Sequence, residues 1–267
     1  MADEAAGAQA EVHGAADTVQ EASEASAEVT SEVAEAVQNG NKLIMAAVIS
    51  IKNGSVFQHD RLILKDINLE IEEGEFVYLI GRSGSGKSSL LKTLYADIPA
   101  KDGAFNISGY DLTSIKRKEI PFLRRKIGIV FQDFQLLYDR NVEQNLSFVL
   151  KATGWDNDEG ISRRIDEVLQ LVGLKGKRKS MPHQLSGGEQ QSIAIARALL
   201  NNPSVILADE PTGNLDPETT NDIMKLIMKI RDNGTTILMA THNYNLIMKY
   251  PSRVISCANG TISESAK

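Results

Sequence analysis

The chain of 267 residues is 42% hydrophobic and 24% charged, a balance that is ordinary for a globular protein. Its formal net charge is −6, but residues 1–40 contain nine acidic residues and no lysine or arginine, so the acidity belongs to the start of the chain. No strongly basic face for nonspecific nucleic-acid binding is indicated. No apolar run approaches the roughly 18 residues of a membrane-spanning helix, and the single cysteine, Cys257, excludes an intramolecular disulfide.

The first segment is rich in alanine, glutamate and serine and contains no aromatic residue. Such a composition cannot bury enough apolar surface to offset the entropy lost on ordering. We therefore predict a disordered acidic tail over residues 1–44 and one domain over residues 45–267. A stripe of Val29, Val33 and Val37 on one helical face leaves a partner helix as the alternative.

The domain begins with two stretches that alternate apolar and polar residues, 47–57 and 63–80. Turn signals at Asn53-Gly54 and Glu73-Gly74 divide them into short strands of a β-rich arm. Later apolar runs end in polar residues, which is typical of strands buried on both faces of a parallel sheet; they lie at residues 126–134, 204–211 and 235–243. Helical patterning over about 134–200 interrupts them. The fold class is therefore α/β, with a mostly parallel sheet, an antiparallel β-arm and a helical insertion.

The loop after the strand-like run "EFVYLI" fits the pattern G-x-x-x-x-G-K-S and opens a helix, which is the context that a phosphate-binding loop requires. Its glycines let several amide N–H groups point at one anion. Lys87 is expected to reach the β- and γ-phosphates, and Ser88 to bind Mg²⁺. A merely flexible loop is the alternative. The predicted nucleotide contacts are Gly81, Ser83, Gly84, Ser85, Gly86, Lys87, Ser88 and Ser89.

Two carboxylates end the apolar run "VILADEP", at the strand end where α/β sheets bind ligands. Adjacent strand residues point in opposite directions, so we assign Asp209 to Mg²⁺ and Glu210 to the attacking water. A strand that simply ends in acids is the alternative. A second anion site is predicted at "LSGGEQQ", where Ser186, Gly187 and Gly188 place a hydroxyl and bare amides at a helix start.

The chain order of these motifs within residues 46–263 is the phosphate loop, then "LSGGEQQ", then "VILADEP". Motifs in this order resemble the ATP-binding-cassette family, whose core is a P-loop NTPase fold. The resemblance implies that His242 contacts the γ-phosphate and that Gln132 links Mg²⁺ or water to the helical insertion. It further implies that Phe57 stacks on adenine and that Asp216 belongs to the nucleotide site. The chain departs from the family pattern at Ser192, where arginine is common, and at Asn243, where aspartate is.

The resemblance also implies a head-to-tail homodimer, in which Ser186 and Gly188 act on ATP held by the partner copy. The stretches "ADEPTGNLD" and "YDRNVEQNL" are similar to the cell-division ATPases of the family. Such proteins lie on the cytoplasmic face of the inner membrane and bind an integral-membrane partner, here expected at about residues 131–160. ATPases of lipoprotein-releasing or macrolide exporters are the first alternative. An alternative from another functional class is a soluble cassette ATPase that acts on nucleic acid or ribosomes. The basic run at residues 116–118 and 124–126 could contact phosphates in that case.

Overall fold

The structure is a computed structural model that describes residues 47–264. The tail predicted over residues 1–44 lies outside the described residues. Residues 47–264 belong to one compact unit, which contains two sheets and seven α-helices within the described range.

The first sheet has four antiparallel strands in the order β2-β1-β4-β5. The prediction of a turn at Asn53-Gly54 is wrong, because both residues lie inside β1, where shifts of register mark a bulge. Pairing with β2 on one side and β4 on the other overrides the local turn preference. The strands are β1 (Ala47–Gln58), β2 (Arg61–Glu72), β4 (Asp102–Ile107) and β5 (Tyr110–Asp111).

The second sheet has six strands in the order β10-β9-β3-β8-β7-β6, and only the edge strand β10 runs antiparallel. All residues of β3 and β8 are buried, as their unbroken apolar runs predict. This mostly parallel sheet confirms the expected fold class. Its strands are β3 (Phe76–Ile80), β6 (Ile127–Val130), β7 (Val205–Asp209), β8 (Thr236–Thr241), β9 (Arg253–Ala258) and β10 (Thr261–Glu264).

The helices cover both faces of this sheet. Along β3, Phe76, Tyr78 and Ile80 face a core that includes the central helices, whereas Val77 and Leu79 face a core shared with the antiparallel sheet. The helices are α1 (Lys87–Leu94), α2 (Ile120–Lys126), α3 (Val142–Ala152), α4 (Asp158–Leu171), α5 (Gly187–Leu199), α6 (Pro217–Asp232) and α7 (Tyr244–Lys249). None of the helices within residues 47–264 has the length and apolar character needed to cross a bilayer.

The topology determines where the site lies. Strands β3, β8 and β7 are parallel neighbours, so their carboxyl ends meet at one edge of the sheet. The phosphate loop follows β3, Asp209 ends β7, and His242 follows β8. Segments that are more than 100 residues apart in sequence therefore converge on one edge, where ligands bind in α/β sheets.

Candidate active site

The phosphate loop turns from β3 into α1 through two left-handed glycines, Gly84 at φ +78° and Gly86 at φ +109°. Gly86 is the N-cap of α1 and provides no side chain to cap the first turn. A Cβ at Gly86 would lie 3.0 Å from Ile63 and Leu64, so both the conformation and the space require glycine. The uncapped amides at the start of α1 are suited to bind an anion.

Lys87 holds its ammonium group inside the site. Its Nζ donates to the carbonyl oxygen of Gly81 at 2.8 Å and to that of Arg82 at 3.3 Å. The same Nζ lies 3.5 Å from Oε1 of Glu210, and the Lys87 side chain is only 6% exposed. A buried cation thus stands between the loop and the carboxylate that follows β7, where it can neutralise an incoming phosphate.

Asp209 ends β7 with its carboxylate largely withdrawn from water. Burial raises the pKa of Asp209, while a hydrogen bond from Ser88 opposes the shift. Its Oδ1 is buried and has no hydrogen-bond partner among the described residues. An unpartnered carboxylate oxygen beside a serine hydroxyl fits Mg²⁺, which prefers oxygen ligands and takes few of them from protein. The residues present are therefore compatible with the metal that the family implies.

Glu210 lies just beyond β7 in the left-handed conformation, at φ +48°, and its backbone N–H donates to Ala240 O at 3.0 Å. We expected the side chains of Asp209 and Glu210 to point in opposite directions because adjacent strand residues alternate. That reason does not apply, since Glu210 lies beyond the strand and the left-handed turn sets the direction of its side chain. Oε1 lies 2.9 Å from Nδ1 of His242, and the backbone N–H of His242 donates to Oε2 at 3.3 Å. The carboxylate is therefore fixed between Lys87 and His242.

Lys87, Glu210 and His242 line a cleft of about 390 Å³. It brings together predicted site residues from four parts of the chain, namely Ser83–Ser89, Gln132, Glu210 and His242. Gln58, Arg61 and Ile63 also line it, and no sequence motif had pointed to them. Gly81, Asp209 and Phe57 are not in the lining; Phe57 is half-buried, with the Lys101 ammonium 5.5 Å from its ring centre.

The "LSGG" segment lies in a different hollow, of about 410 Å³, which shares no lining residue with the phosphate cleft. Ser186 and Gly188 line this hollow. Ser186 caps α5: its hydroxyl accepts from the N–H of Glu189 at 3.2 Å, and the Glu189 carboxylate accepts from the N–H of Ser186 at 2.8 Å. Gly188 packs so closely on α6 that a Cβ would lie 2.3 Å from Cγ2 of Thr219.

Asp216 caps α6 by accepting from the N–H groups of Glu218 and Thr219 at 3.0 and 2.9 Å. The Thr219 hydroxyl also donates to it, and these bonds lower the pKa of Asp216. Gly187 and Asp216 line neither hollow. The structure thus places most of the predicted site residues in a phosphate cleft, Ser186 and Gly188 in a signature hollow, and the others in the lining of neither.

Both departures from the family pattern have a local role. The hydroxyl of Ser192 donates to the carbonyl of Gly188 at 2.9 Å, inside α5. Asn243 caps α7 by accepting from the N–H of Asn245 at 3.1 Å, while its own N–H donates to the Thr241 hydroxyl. His242 is therefore held by the backbone turn before α7 and by Glu210.

Comparison with known proteins gives a consistent answer. A family model described as ABC transporter matches residues 64–213. The cell division ATP-binding protein FtsE of Bacillus subtilis is 49% identical over 199 residues, which cover 74% of this chain and 87% of that protein. FtsE of Escherichia coli K12 is 44% identical over 75% of this chain and 90% of its own length.

Solved structures agree. The ATP-binding cassette MJ0796, solved as a dimer in a post-hydrolysis state with ADP and Pi, has a TM-score of 0.72 at 34% identity. That match covers 81% of this chain and 97% of MJ0796. The cassette cbiO1 of Clostridium perfringens, part of the transporter complex cbiONQ, has a TM-score of 0.75 at 31% identity and covers 81% and 87% of the two chains. The chain therefore belongs to the ABC transporter family and is an ATPase of its FtsE type.

Proposed function

We propose that this chain is the ATP-hydrolysing subunit of a cell-division complex and lies on the cytoplasmic face of the inner membrane, bound to an FtsX-like integral-membrane partner. The observation that best supports ATP hydrolysis is the position of the Glu210 carboxylate. It is fixed between Lys87 and His242 in the cleft that the phosphate loop lines. The similarity to FtsE proteins supports the cell-division role.

ATP binds with its phosphates on the amides of residues 83–89 and on the Lys87 ammonium. The Ser88 hydroxyl and the Asp209 carboxylate would hold Mg²⁺, and Gln132, which also lines the cleft, would link the metal or the water to the helical insertion. When bound, the metal neutralises charge on the β- and γ-phosphates. Phe57 provides the adenine contact, from the strand that leads into the lining residue Gln58.

Glu210 orients the attacking water and accepts its proton. The water oxygen forms a bond to the γ-phosphorus as the bridging bond to the β-phosphate breaks, and ADP leaves with the electron pair. Lys87 neutralises negative charge near the transferred group. The side chain of His242 is 61% exposed while its Nδ1 stays on Glu210, so its free edge is available to the γ-phosphate.

A head-to-tail dimer completes the site. The phosphate cleft and the signature hollow share no lining residue, so Ser186 and Gly188 do not line the cleft of their own chain. A second copy related by two-fold symmetry supplies both signatures at once. The dimeric cassette MJ0796 with ADP and Pi supports this arrangement.

The membrane partner is proposed to dock near residues 131–160. Three large apolar side chains in this stretch are exposed: Leu137 by 37%, Tyr138 by 58% and Phe148 by 49%. Leu146 and Leu150 of the same stretch are fully buried, so α3 anchors the surface to the core. Rigid, exposed aromatic rings are typical anchors of protein interfaces.

Co-purification from detergent tests this docking. Tyr138→Ala/Phe148→Ala should weaken capture of a co-expressed FtsX-like partner by about tenfold or more, because aromatic anchors dominate binding energy. The matched control Leu62→Ala/Met248→Ala removes two other exposed side chains, 47% and 83% exposed, and should capture normally. Equal capture by both double variants would place the partner elsewhere. ATP hydrolysis by the isolated variant should stay at the wild-type rate.

A further inference from the structure

The strongest positive charge in the described chain lies on one short stretch. Residues 116–126, which we name the basic segment, carry six basic side chains and one acidic one, against a net charge of −6 for the whole protein. Lys116, Arg117 and Lys118 are exposed in the turn before α2, and Arg124 and Lys126 are exposed at its end. Neither the nucleotide site nor the proposed docking of the membrane partner uses this charge.

Carboxylates do not neutralise the basic segment. Among residues 47–264, the one carboxylate within ion-pair distance of these cations is Asp97, 4.0 Å from Arg124. Arg124 is also held by donation to the carbonyls of Tyr95 and Ala96. The Glu119 carboxylate accepts from the backbone N–H of Lys116 at 2.8 Å and thereby fixes the turn. The cations of the turn therefore face solvent without a counter-charge.

An exposed aromatic ring lies among these cations. Phe122 is 54% exposed on α2, while the next residue, Leu123, is fully buried and anchors the helix. The Arg125 guanidinium lies 5.1 Å from the centre of the Phe122 ring, and its Nε is buried without a hydrogen-bond partner among the described residues. An exposed apolar ring in contact with one cation, within a segment of mostly unpaired cations, suits a ligand that offers both anionic groups and an apolar layer.

We propose that the basic segment binds the anionic headgroups of a lipid bilayer, with Phe122 inserted at headgroup depth. A nucleic-acid duplex offers phosphates but no apolar layer for Phe122, so the bilayer accounts for both features. Each Lys or Arg near an anionic surface strengthens binding by roughly fivefold. The contact is direct and does not depend on the proposed protein partner, so it would orient the ATPase against the membrane even when that partner is absent.

Vesicle sedimentation with the full chain tests the proposal. Wild-type protein should bind mixed phosphatidylglycerol–phosphatidylcholine vesicles and not pure phosphatidylcholine, and salt should weaken the binding because it screens exposed charges. Lys116→Gln/Arg117→Gln/Lys118→Gln should lower partitioning at least tenfold. Phe122→Ala should lower it severalfold. The matched control Lys65→Gln/Lys225→Gln/Lys229→Gln removes three exposed lysines elsewhere and should bind as wild type.

Three outcomes overturn the proposal. The first is no binding of the wild type to phosphatidylglycerol vesicles. The second is an equal loss in the two triple variants, which would indicate general charge attraction. The third is complete displacement from vesicles by duplex DNA at matched phosphate concentration, which would assign the segment to nucleic acid. ATP hydrolysis by each variant shows whether that variant is folded. The vesicles contain no membrane partner, so a loss of vesicle binding cannot be caused by a failure to dock on that partner.

Discussion

The phosphate cleft and the signature hollow are both built at the start of a helix, but they differ in how completely their polar groups are satisfied. In the cleft, Gly86 leaves α1 uncapped, and behind its lining Oδ1 of Asp209 is buried without a partner among the described residues. In the hollow, Ser186 and Glu189 cap α5 reciprocally. Unsatisfied buried groups favour a ligand, whereas a capped helix is stable alone. The cleft therefore has unsatisfied groups available for a ligand within one chain, whereas the signature hollow has a helix start that is already capped; this difference agrees with our proposal that the signature acts on the ligand of a second copy.

The largest effect should follow from removing the cation of the cleft. Lys87→Ala should lower kcat/KM for ATP by about 10²-fold or more, because one preorganised charge on the transition state typically contributes that much. A steady-state phosphate-release assay measures the change. Lys92→Ala, an exposed lysine on the same helix, is the control and should hydrolyse normally. Activity of Lys87→Ala within threefold of wild type would show that the cleft binds phosphate by backbone amides alone.

The signature hollow should depend on close packing rather than charge. Gly188→Ala places a methyl group 2.3 Å from Cγ2 of Thr219 and should lower the hydrolysis rate by about tenfold, by displacing α5 from α6. Thr219→Ser removes that γ-methyl and keeps the hydroxyl that donates to Asp216. The double variant should therefore recover much of the rate in the same assay. No recovery would mean that Gly188 is needed for its bare amide and not for its packing.

A smaller effect is expected at the adenine end of the cleft. Phe57→Ala should weaken ATP binding about fivefold, equivalent to about 1 kcal/mol of aromatic stacking, with little change in stability. Isothermal titration of the nucleotide measures this. Leu62, the cross-strand neighbour of Phe57 and 47% exposed, gives the control Leu62→Ala. Unchanged affinity with a large loss of stability would make Phe57 a core residue.

The smallest effect concerns the scaffold that leads into the signature. On α3, the Glu143 carboxylate pairs with Lys179 and Arg178, and the hydrogen bond from Lys179 contributes most to lowering its pKa from the ordinary 4.5. A carboxylate whose pKa is lower in the folded state than in the unfolded state stabilises the fold at pH values above its unfolded-state pKa. This stability is lost as the pH falls through the folded-state pKa. Glu143→Gln should therefore cost about 1 kcal/mol at neutral pH and progressively less in acid. Urea unfolding at several pH values measures it; a cost independent of pH would refute the ionic contribution.

Much of the phosphate cleft was predictable because its chemistry depends on residue types at fixed spacing. The glycines, Lys87 and Ser88 follow one strand, and Asp209 and Glu210 end another, so a parallel sheet places them together. The α/β class followed from apolar runs whose burial the structure confirms.

Features set by tertiary contacts were not predictable. The bulge at Asn53-Gly54 carries a turn sequence, but β1 is paired on both sides. The left-handed turn at Glu210, which brings its carboxylate to His242, has no sequence signal because glutamate rarely adopts it. Gln58 and Arg61 line the cleft only because the first hairpin folds over the loop. Such placements depend on packing between distant segments.

The central claim is that Glu210 acts on the attacking water while Lys87 and Asp209 hold the nucleotide and its metal. Glu210→Gln tests it most directly, since it keeps the shape of the side chain and removes the base. ATP hydrolysis should fall 10²- to 10⁴-fold, about 3–5 kcal/mol of barrier. Mg-ATP should still bind to Glu210→Gln and convert it from monomer to dimer in gel filtration. Lys87→Ala should remain a monomer with Mg-ATP, because it lacks the phosphate contact. Glu218→Gln, at an exposed position on α6, should hydrolyse as wild type. Hydrolysis by Glu210→Gln at the wild-type rate would contradict the claim and leave His242 as the group to test next.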